Sequence, residues 1–313
     1  MNFIQQAYKG KNDWWRYLIT IAIVMLPFIL NFVMYIVFPE LFEDLYSDME
    51  NFQGDKNVFL IENLIPFVVL LFLLFLFIKF LHKRSITSLI TSRSNTDWKR
   101  VFFAFGLWVF ISVVVLAIGI SMDSENLIWN FKPIPFLLLV LISLVLLPLQ
   151  TSLEELLFRG YLMQGLGILV KNRWFPLIIT SVLFGLMHSL NPEVEKLGYG
   201  IMVFYIGTGL LFGITTLMDE GTELALGLHA ANNVVAAIFV TANWTAFQTD
   251  ALYIDTSEPS LGWETYLPVF VLYPIVLLIL SKKYAWKQWP EKLFGRIEKS
   301  APVENVLNDQ LIE

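Results

Sequence analysis

Apolar residues occur along this chain in long runs separated by short polar segments. A run of about 20 apolar residues is long enough to cross a hydrocarbon core about 30 Å thick, because a helix rises 1.5 Å per residue. Backbone N–H and C=O groups find no water in lipid, so an open chain that crosses it must be helical. The pattern predicts eight transmembrane helices, at residues 17–38, 58–81, 101–122, 136–158, 175–190, 199–217, 224–247 and 265–281.

Basic residues are distributed asymmetrically between the segments that join these helices. If both termini are cytoplasmic, only four of the 21 Lys and Arg residues lie elsewhere: Lys56, Lys132 and Lys196 on the opposite side, and Lys79 at a helix end. Lys and Arg accumulate on the cytoplasmic loops of membrane proteins. The sequence therefore predicts an all-α integral membrane protein with about eight transmembrane helices and both termini in the cytoplasm.

Composition agrees with a membrane protein and excludes two kinds of site. Of the 313 residues, 57% are hydrophobic and 15% are charged, against about 45–50% and 25% in soluble domains. No cysteine is present, so neither a disulfide framework nor a thiolate metal site can form. Basic and aromatic residues alternate after residue 282, which predicts a segment on the lipid bilayer rather than a nucleic-acid site.

The chain divides into three parts by the polar residues that its predicted helices carry. Residues 1–135 hold the first three helices and their loops. Residues 136–247 hold the fourth to seventh helices, and residues 248–313 hold the last helix and a basic cytoplasmic tail. The middle part contains the groups that could carry chemistry, so we expect it to be the catalytic core.

Two adjacent glutamates and an arginine interrupt the fourth apolar run. A charged group at the centre of a membrane helix costs about 2.5–3.5 kcal/mol on insertion scales, so such groups mark function or pairing. Glu155 and Arg159 are four residues apart on one helical face and can pair. Glu154 is rotated from Glu155 by about 100° and is free to act as a general base. The alternative is that all three residues are solvated at the cytoplasmic boundary.

Two histidines and two adjacent asparagines lie in later runs. His188 ends the fifth run, and His229 precedes Asn232 and Asn233 in the seventh. A lone histidine in a membrane helix is more often a hydrogen-bonded packing residue, but His229 and Asn233 share a helical face. Together with Glu154, these residues supply what peptide-bond hydrolysis needs, a base that activates water and donors that hold the oxyanion.

Other catalytic arrangements fit poorly. The chain has no Gly-x-Ser-x-Gly elbow and no His-Glu-x-x-His zinc helix. Asp219 is the single aspartate of the later spans and their short joining turn, which leaves an intramembrane aspartate dyad unsupported. We expect no cofactor, although a divalent metal held by Glu154, His188 and His229 stays chemically open.

Three short motifs occur in order, each on a predicted helix. They resemble the motifs of the type II CAAX prenyl endopeptidase and bacteriocin-processing (CPBP) family of intramembrane proteases, whose eukaryotic members include the Ras-converting enzymes. The likeness covers about residues 136–245 and rests on Glu154-Glu155-x-x-x-Arg159, Phe184-x-x-x-His188 and His229-x-x-x-Asn233.

The resemblance implies a role for each matching residue. In this family the residue that matches Glu154 activates water, helped by the one that matches His188. Those that match His229 and Asn233 form the oxyanion site, and the family is described as metal-independent. The remaining motif positions and one neighbour would be supporting residues, namely Glu155, Arg159, Phe184 and Asn232. The implied partner is a membrane-associated peptide or protein, prenylated in the CAAX branch, cut toward the cytoplasmic side of the bilayer.

Two other functions stay open on sequence grounds. Members of this family also occur as bacteriocin-immunity or partner-binding proteins, in which the polar cluster would be a structural hydrogen-bond network. Intramembrane Glu and His also form proton relays in transporters, although no inverted repeat is visible here.

Counting positions along the predicted helices leaves a discrepancy in depth. Glu154 and His229 fall toward the cytoplasmic side, whereas His188 falls at the far end of its helix. Either the fourth helix continues through residues 160–170, or the fifth begins below the membrane surface.

Overall fold

The long apolar runs form helices in the computed structural model, which describes residues 1–122 and 125–299. The α-helices of these residues are α1 Trp14–Val24, α2 Leu26–Val37, α3 Pro39–Glu50, α4 Lys56–Leu76, α5 Thr87–Ile90, α6 Trp98–Met122, α7 Pro133–Glu155, α8 Met163–Val170, α9 Trp174–Leu186, α10 Pro192–Leu197, α11 Met202–Asp219, α12 Glu223–Phe239, α13 Tyr273–Lys283 and α14 Trp289–Phe294. Shorter helical segments are three π-helices, Phe77–Leu81, Leu156–Leu162 and Pro268–Leu272, and three 3-10 helices, Ile4–Lys9, Tyr199–Ile201 and Trp263–Thr265.

Each predicted transmembrane run contains helix, but the fifth and seventh helices end early, at Leu186 and Phe239 rather than at residues 190 and 247. Four continuous helices in the described residues are long and apolar enough to cross a bilayer: Lys56–Leu81, Trp98–Ser121, Pro133–Val170 and Tyr199–Asp219. A fifth span results if α1 and α2 are one element, although they meet at 61°. Pro27 in the first turn of α2 cannot donate a backbone hydrogen bond, which accounts for the bend. Eight spans and the orientation of the termini therefore stay predictions.

The fourth predicted helix does not end at residue 158. α7, the π-helix Leu156–Leu162 and α8 form one helix of 38 residues from Pro133 to Val170. Its charged residues are buried and paired with other helices, so they do not terminate it. At 1.5 Å per residue, Glu154 lies about 24 Å from the Val170 end of this helix.

The depth discrepancy disappears with this longer helix. A short turn joins Val170 to α9, and His188 follows α9 at about 20 Å from its Trp174 end. His188 and Glu154 therefore lie at a similar height above that turn. The first of the two alternatives, continuation of the fourth helix through residues 160–170, is the correct one.

Three short strands depart from a purely helical fold. β1 (Leu127–Trp129) pairs antiparallel with β3 (Tyr253–Asp255), and β3 pairs in parallel with β2 (Val240–Thr241). The sheet joins the segment before α7 to the end of α12. Strands of two or three residues are too short to show an alternating pattern, so the sequence did not reveal them.

The polar residues of α7 are enclosed by helices on several sides. α12 packs against α6 and α7, α4 packs against α7, and α9 packs against α11. The α9–α11 crossing is close, since a Cβ added to Gly209 would lie 2.7 Å from the Ser181 carbonyl oxygen. Large hydrophobic side chains such as Phe102, Phe110 and Leu141 stay exposed on the outside of α6 and α7. Such continuous apolar surface indicates contact with lipid.

The helix ends near residues 219–223 are held by ion pairs. Arg93 binds Asp219 at 2.9 Å and Glu223 at 3.2 Å, and Arg100 binds Asp219 at 2.7 Å. The described part of the basic tail packs against the same region, where Trp286 donates to Asp219 Oδ1 at 3.1 Å. The tail was predicted to lie on lipid, and this contact holds part of it against the protein. Residues 300–313 of the predicted tail lie outside the described residues.

Glu193 at the start of α10 is a half-buried acid outside the spans. Its carboxylate accepts a hydrogen bond from the Ala246 backbone N–H at 3.0 Å, and its Oε2 has no hydrogen-bond partner among the described residues. Burial raises the pKa of this carboxyl above its ordinary value. The stability that such a group contributes is complete below its unfolded-state pKa and is lost as the pH rises through the folded-state pKa.

Glu193→Gln should therefore stabilise the protein at alkaline pH. The amide oxygen can still accept from Ala246, while the buried charge is absent. We expect the variant to unfold at a higher temperature than the wild type at about pH 8, and the difference to shrink toward about pH 4, where the wild-type carboxyl is protonated. Thermal unfolding in detergent at both pH values measures this. Differences of equal size at the two pH values would contradict the assignment.

Candidate active site

Two neighbouring carboxylates of α7 meet one imidazole of α12. His229 Nδ1 donates to Glu155 Oε1 at 2.8 Å, and His229 Nε2 lies 3.4 Å from Glu154 Oε2. All three side chains are buried, with 5% or less of each residue exposed. Because an ionised carboxylate only accepts, the bond to Glu155 places a proton on Nδ1 and fixes the orientation of the ring. The predicted proximity of Glu154 and His229 is thus observed.

Arg159 binds the same oxygen of Glu155 that accepts from His229, and Glu155 Oε2 has no partner in the described residues. Arg159 Nη1 donates to Glu155 Oε1 at 3.0 Å, as the four-residue spacing predicts, and its Nη2 donates to the Gly209 carbonyl at 3.0 Å. The guanidinium lies over the Phe184 ring at 4.3 Å from the centroid. Arg159 is fully buried. It therefore ties the Glu155–His229 pair to α9 and α11.

An amide side chain connects the free carboxylate to the asparagines. Gln150 Nε2 donates to Glu154 Oε1 at 2.6 Å, and Asn233 Nδ2 donates to Gln150 Oε1 at 3.1 Å. Asn232 Nδ2 donates to Asn233 Oδ1 at 3.1 Å, and Asn232 Oδ1 accepts from Trp108 Nε1 at 3.3 Å. Asn232 and Asn233 thus lie in one network with Glu154, and Gln150 is the link between them.

His188 reaches the cluster through aromatic contacts. Its Nδ1 donates to the Phe184 carbonyl at 2.9 Å, which leaves Nε2 as the accepting nitrogen of a neutral ring. The ring stacks on Tyr205 with centroids 4.5 Å apart. Phe184 lies between the histidines, at 5.0 Å from the His188 ring and 5.6 Å from the His229 ring. Among the described residues no hydrogen bond joins His188 to Glu154, so His188 borders the cluster without bonding to it.

The geometry bears on the metal alternative. In the described part of the chain, no group of three or more His, Asp or Glu side chains is arranged to hold a metal ion. Glu154, His188 and His229, the three ligands considered from sequence, are not brought together as such a group, and the chelator experiment described below tests metal dependence.

Sequence reasoning missed several residues of the site. Gln150 could have been found, because it precedes Glu154 by four residues on the same helical face. Trp108, Gly209 and Tyr205 carry no sequence signal, since each reaches the cluster only through the packing of a different helix. Phe212, whose ring stacks on His229 at 4.8 Å, belongs to the same group.

These contacts define a class of protein. It is a helical protein with long lipid-facing apolar helices and a buried Glu–His–Asn cluster between α7, α9 and α12. Glu154 Oε2 is buried and accepts no hydrogen bond from the described residues. A buried carboxylate oxygen without a hydrogen bond, next to an imidazole and amide donors, suits general-base chemistry on a carbonyl substrate.

Comparison with known proteins finds similarity to a family model over the same region. Residues 133–235 match the model of the family described as Type II CAAX prenyl endopeptidase Rce1-like. The match includes all three motifs, and the predicted resemblance is confirmed. The chain is also 29% identical over 298 residues to the uncharacterized protein YyaK of Bacillus subtilis (strain 168), covering 92% of this chain and 99% of that protein. No solved structure matches significantly. The family match supports an integral membrane protease.

Proposed function

We propose that this protein is an intramembrane endopeptidase in which Glu154 is the general base. The observation that carries the proposal is the environment of Glu154. One of its oxygens is held by Gln150 at 2.6 Å, and the other is buried and unbonded at 3.4 Å from His229 Nε2. One oxygen thus fixes the orientation of the carboxylate while the other can accept a proton from water.

The reaction needs no group beyond this cluster and water. Water attacks the scissile carbonyl carbon as Glu154 takes its proton, and the carbonyl oxygen becomes an oxyanion. Asn233 donates to that oxygen, and His229 Nε2 donates to it whenever that nitrogen carries a hydrogen. Collapse of the intermediate breaks the C–N bond, and the proton passes from Glu154 to the leaving amine. His188 orients the water through its accepting Nε2.

Glu155 and Arg159 act on this chemistry indirectly. Glu155 accepts from His229 Nδ1 and from Arg159. It therefore fixes the orientation of the imidazole ring, while Arg159 neutralises its negative charge. A carboxylate that orients a catalytic imidazole is a recurring arrangement in hydrolases. Phe184 packs between the guanidinium and both imidazoles and keeps water from the ion pair.

The proposed substrate is a membrane-associated peptide or protein, lipidated as in the CAAX branch, approached from the cytoplasmic side. The depth of Glu154 within the long helix and the apolar surface of α6 and α7 support a substrate that enters from lipid. A lipid tail would bring the scissile bond to the membrane, where a buried site can reach it.

Cleavage of matched peptides tests the proposal and its independence of metals. Wild-type protein in detergent is incubated with peptides of one sequence, with and without a prenyl group, in the presence and absence of a chelator. We expect endoproteolysis that favours the prenylated peptide and keeps its rate in the chelator. Mass spectrometry of the products locates the cut.

Three other outcomes of the cleavage assay would favour different conclusions. Loss of activity in the chelator, restored by added metal, would revive the metal site of Glu154, His188 and His229. Tight binding of the peptides without cleavage would favour the immunity or partner-binding alternative. Cleavage of plain and prenylated peptides at equal rates would contradict the lipidated substrate class but not the peptidase.

A further inference from the structure

A single chain of hydrogen bonds crosses three helices and ends on Glu154. It starts at Trp108 on α6, continues through the adjacent Asn232 and Asn233 of α12, and reaches Glu154 through Gln150 on α7. The donor–acceptor distances are 3.3, 3.1, 3.1 and 2.6 Å in that order. The shortest bond is the one to the carboxylate, as charge-assisted hydrogen bonds usually are.

The two ends of this chain determine its direction. An indole N–H can only donate, and an ionised carboxylate can only accept. Each of the three amides between them therefore accepts through its oxygen and donates through its nitrogen. Flipping any one amide would place two donors or two acceptors face to face, so the network permits one arrangement of the amides.

The direction of the chain affects both the general base, Glu154, and the oxyanion donor, Asn233. Gln150 holds Glu154 Oε1, which leaves Oε2 as the oxygen beside His229. Gln150 also takes one hydrogen of Asn233 Nδ2 and thereby fixes the nitrogen side of that amide. The second hydrogen of the same nitrogen stays available for an oxyanion. One side chain thus sets the orientation of the base and of an oxyanion donor together.

We propose that Gln150 is a positioning residue for the peptidase, oriented through Asn232 and Asn233 by the indole N–H of Trp108. The proposal rests on the proposed function for its catalytic meaning. Gln150 is itself buried, with 5% of its surface exposed, and its side chain bonds to nothing outside this chain of hydrogen bonds in the described residues. Its two hydrogen bonds therefore serve Glu154 and Asn233 alone.

Removing the amide should lower turnover without weakening substrate binding. Gln150→Met keeps the length of the side chain and deletes both hydrogen bonds, so we expect kcat to fall about 10- to 100-fold with KM unchanged. Trp108→Phe removes the first donor only, so its expected loss is several-fold. The matched control is Gln164→Met on the same long helix, because Gln164 is fully buried and bonded to Arg84 and Ser88, away from the cluster. This control is expected to lose stability but not kcat.

Gln150→Glu separates positioning from simple packing. When protonated, the introduced carboxyl group can accept from Asn233 and donate its O–H to Glu154, which restores the direction of the chain. Two ionised carboxylates repel, and a pair at this distance shares one proton. The other charged groups that face the pair are Glu155, Arg159 and His229. We expect this variant to lose activity as the pH rises over a range in which the wild type stays active.

Thermal unfolding of the same variants needs no substrate. The direction of the chain predicts that Gln150→Glu is near wild type at low pH and destabilised at high pH, whereas Gln150→Met is destabilised at both. Wild-type kcat in Gln150→Met would overturn the positioning role and leave the peptidase intact. Gln150→Glu with wild-type stability at every pH would overturn the hydrogen-bond chain itself, whether or not the protein cleaves peptides. If the wild type cleaved no peptide while the Gln150 variants unfolded as predicted, the peptidase proposal would fail and the hydrogen-bond chain would stand.

Discussion

Glu154→Gln is expected to abolish peptide cleavage while leaving the protein folded. Glutamine has the shape of glutamate, and its oxygen can still accept from Gln150, so the hydrogen-bond chain keeps its last link. It cannot take a proton from water. General-base catalysis contributes about 10²- to 10⁴-fold to a rate, and we expect a loss of that order in kcat. Initial rates on the best peptide of the matched pair measure it, with thermal unfolding recorded on the same samples.

A glutamate outside the cluster provides the matched control. Glu62 lies on α4 and is exposed, so Glu62→Gln is expected to keep both rate and stability. Full activity in Glu154→Gln would show that Glu154 is not the base. A variant that unfolds at a much lower temperature would instead indicate that the cluster is a structural network, which is the immunity or partner-binding alternative.

The relation of Glu155 to its two partners shows which contacts a sequence can predict. The pair with Arg159 follows from four-residue spacing on one helix, and the structure has it at 3.0 Å. The bond from His229 to Glu155 depends on how α12 packs against α7, and no spacing encodes that. Helical periodicity therefore predicts partners on one helix, whereas the hydrogen-bond partner of His229 depends on the tertiary fold.

The long fourth helix shows a second limit. Hydrophobicity falls at Glu154, Glu155 and Arg159, so a reading based on apolar runs ends the helix at residue 158. In the structure the helix continues to Val170 because these charges are satisfied by other helices rather than by solvent. The same error produced the apparent difference in depth between Glu154 and His188. From sequence alone, the drop in hydrophobicity at a buried ion pair cannot be distinguished from the end of a transmembrane helix.

The three motifs were predictive for a different reason. Two of them place a polar pair four positions apart on one helix, Glu155 with Arg159 and His229 with Asn233, so each pair stays together whatever the tertiary packing. The sequence could group Glu154, His229 and Asn233 in one site only through the family resemblance, not through spacing. It could not show that Gln150 joins Glu154 to Asn233, since half of that link lies on another helix.

Arg159→Met is expected to have the largest effect on stability. Arg159 is fully buried, and its side chain is the partner of Glu155, a donor to the Gly209 carbonyl and a cation over the Phe184 ring. Removing one partner of a buried ion pair costs about 3–5 kcal/mol, because the remaining charge is left uncompensated. Most proteins have a total stability of about 5–15 kcal/mol. We therefore expect a low folded yield and a strongly reduced unfolding temperature.

A second substitution shows whether the uncompensated charge of Glu155 causes the loss of stability. Glu155→Gln in the Arg159→Met background removes that charge, and its amide oxygen can still accept from His229. The double variant should recover a large part of the lost stability, so the two substitutions should be strongly non-additive in thermal unfolding. Lys132→Met, which deletes an exposed ion pair with Asp250 at 3.6 Å, should change stability by less than about 1 kcal/mol. If the double variant were as unstable as Arg159→Met, the loss would come from the Gly209 and Phe184 contacts, and Arg159 would serve mainly to hold α9 and α11 against the site.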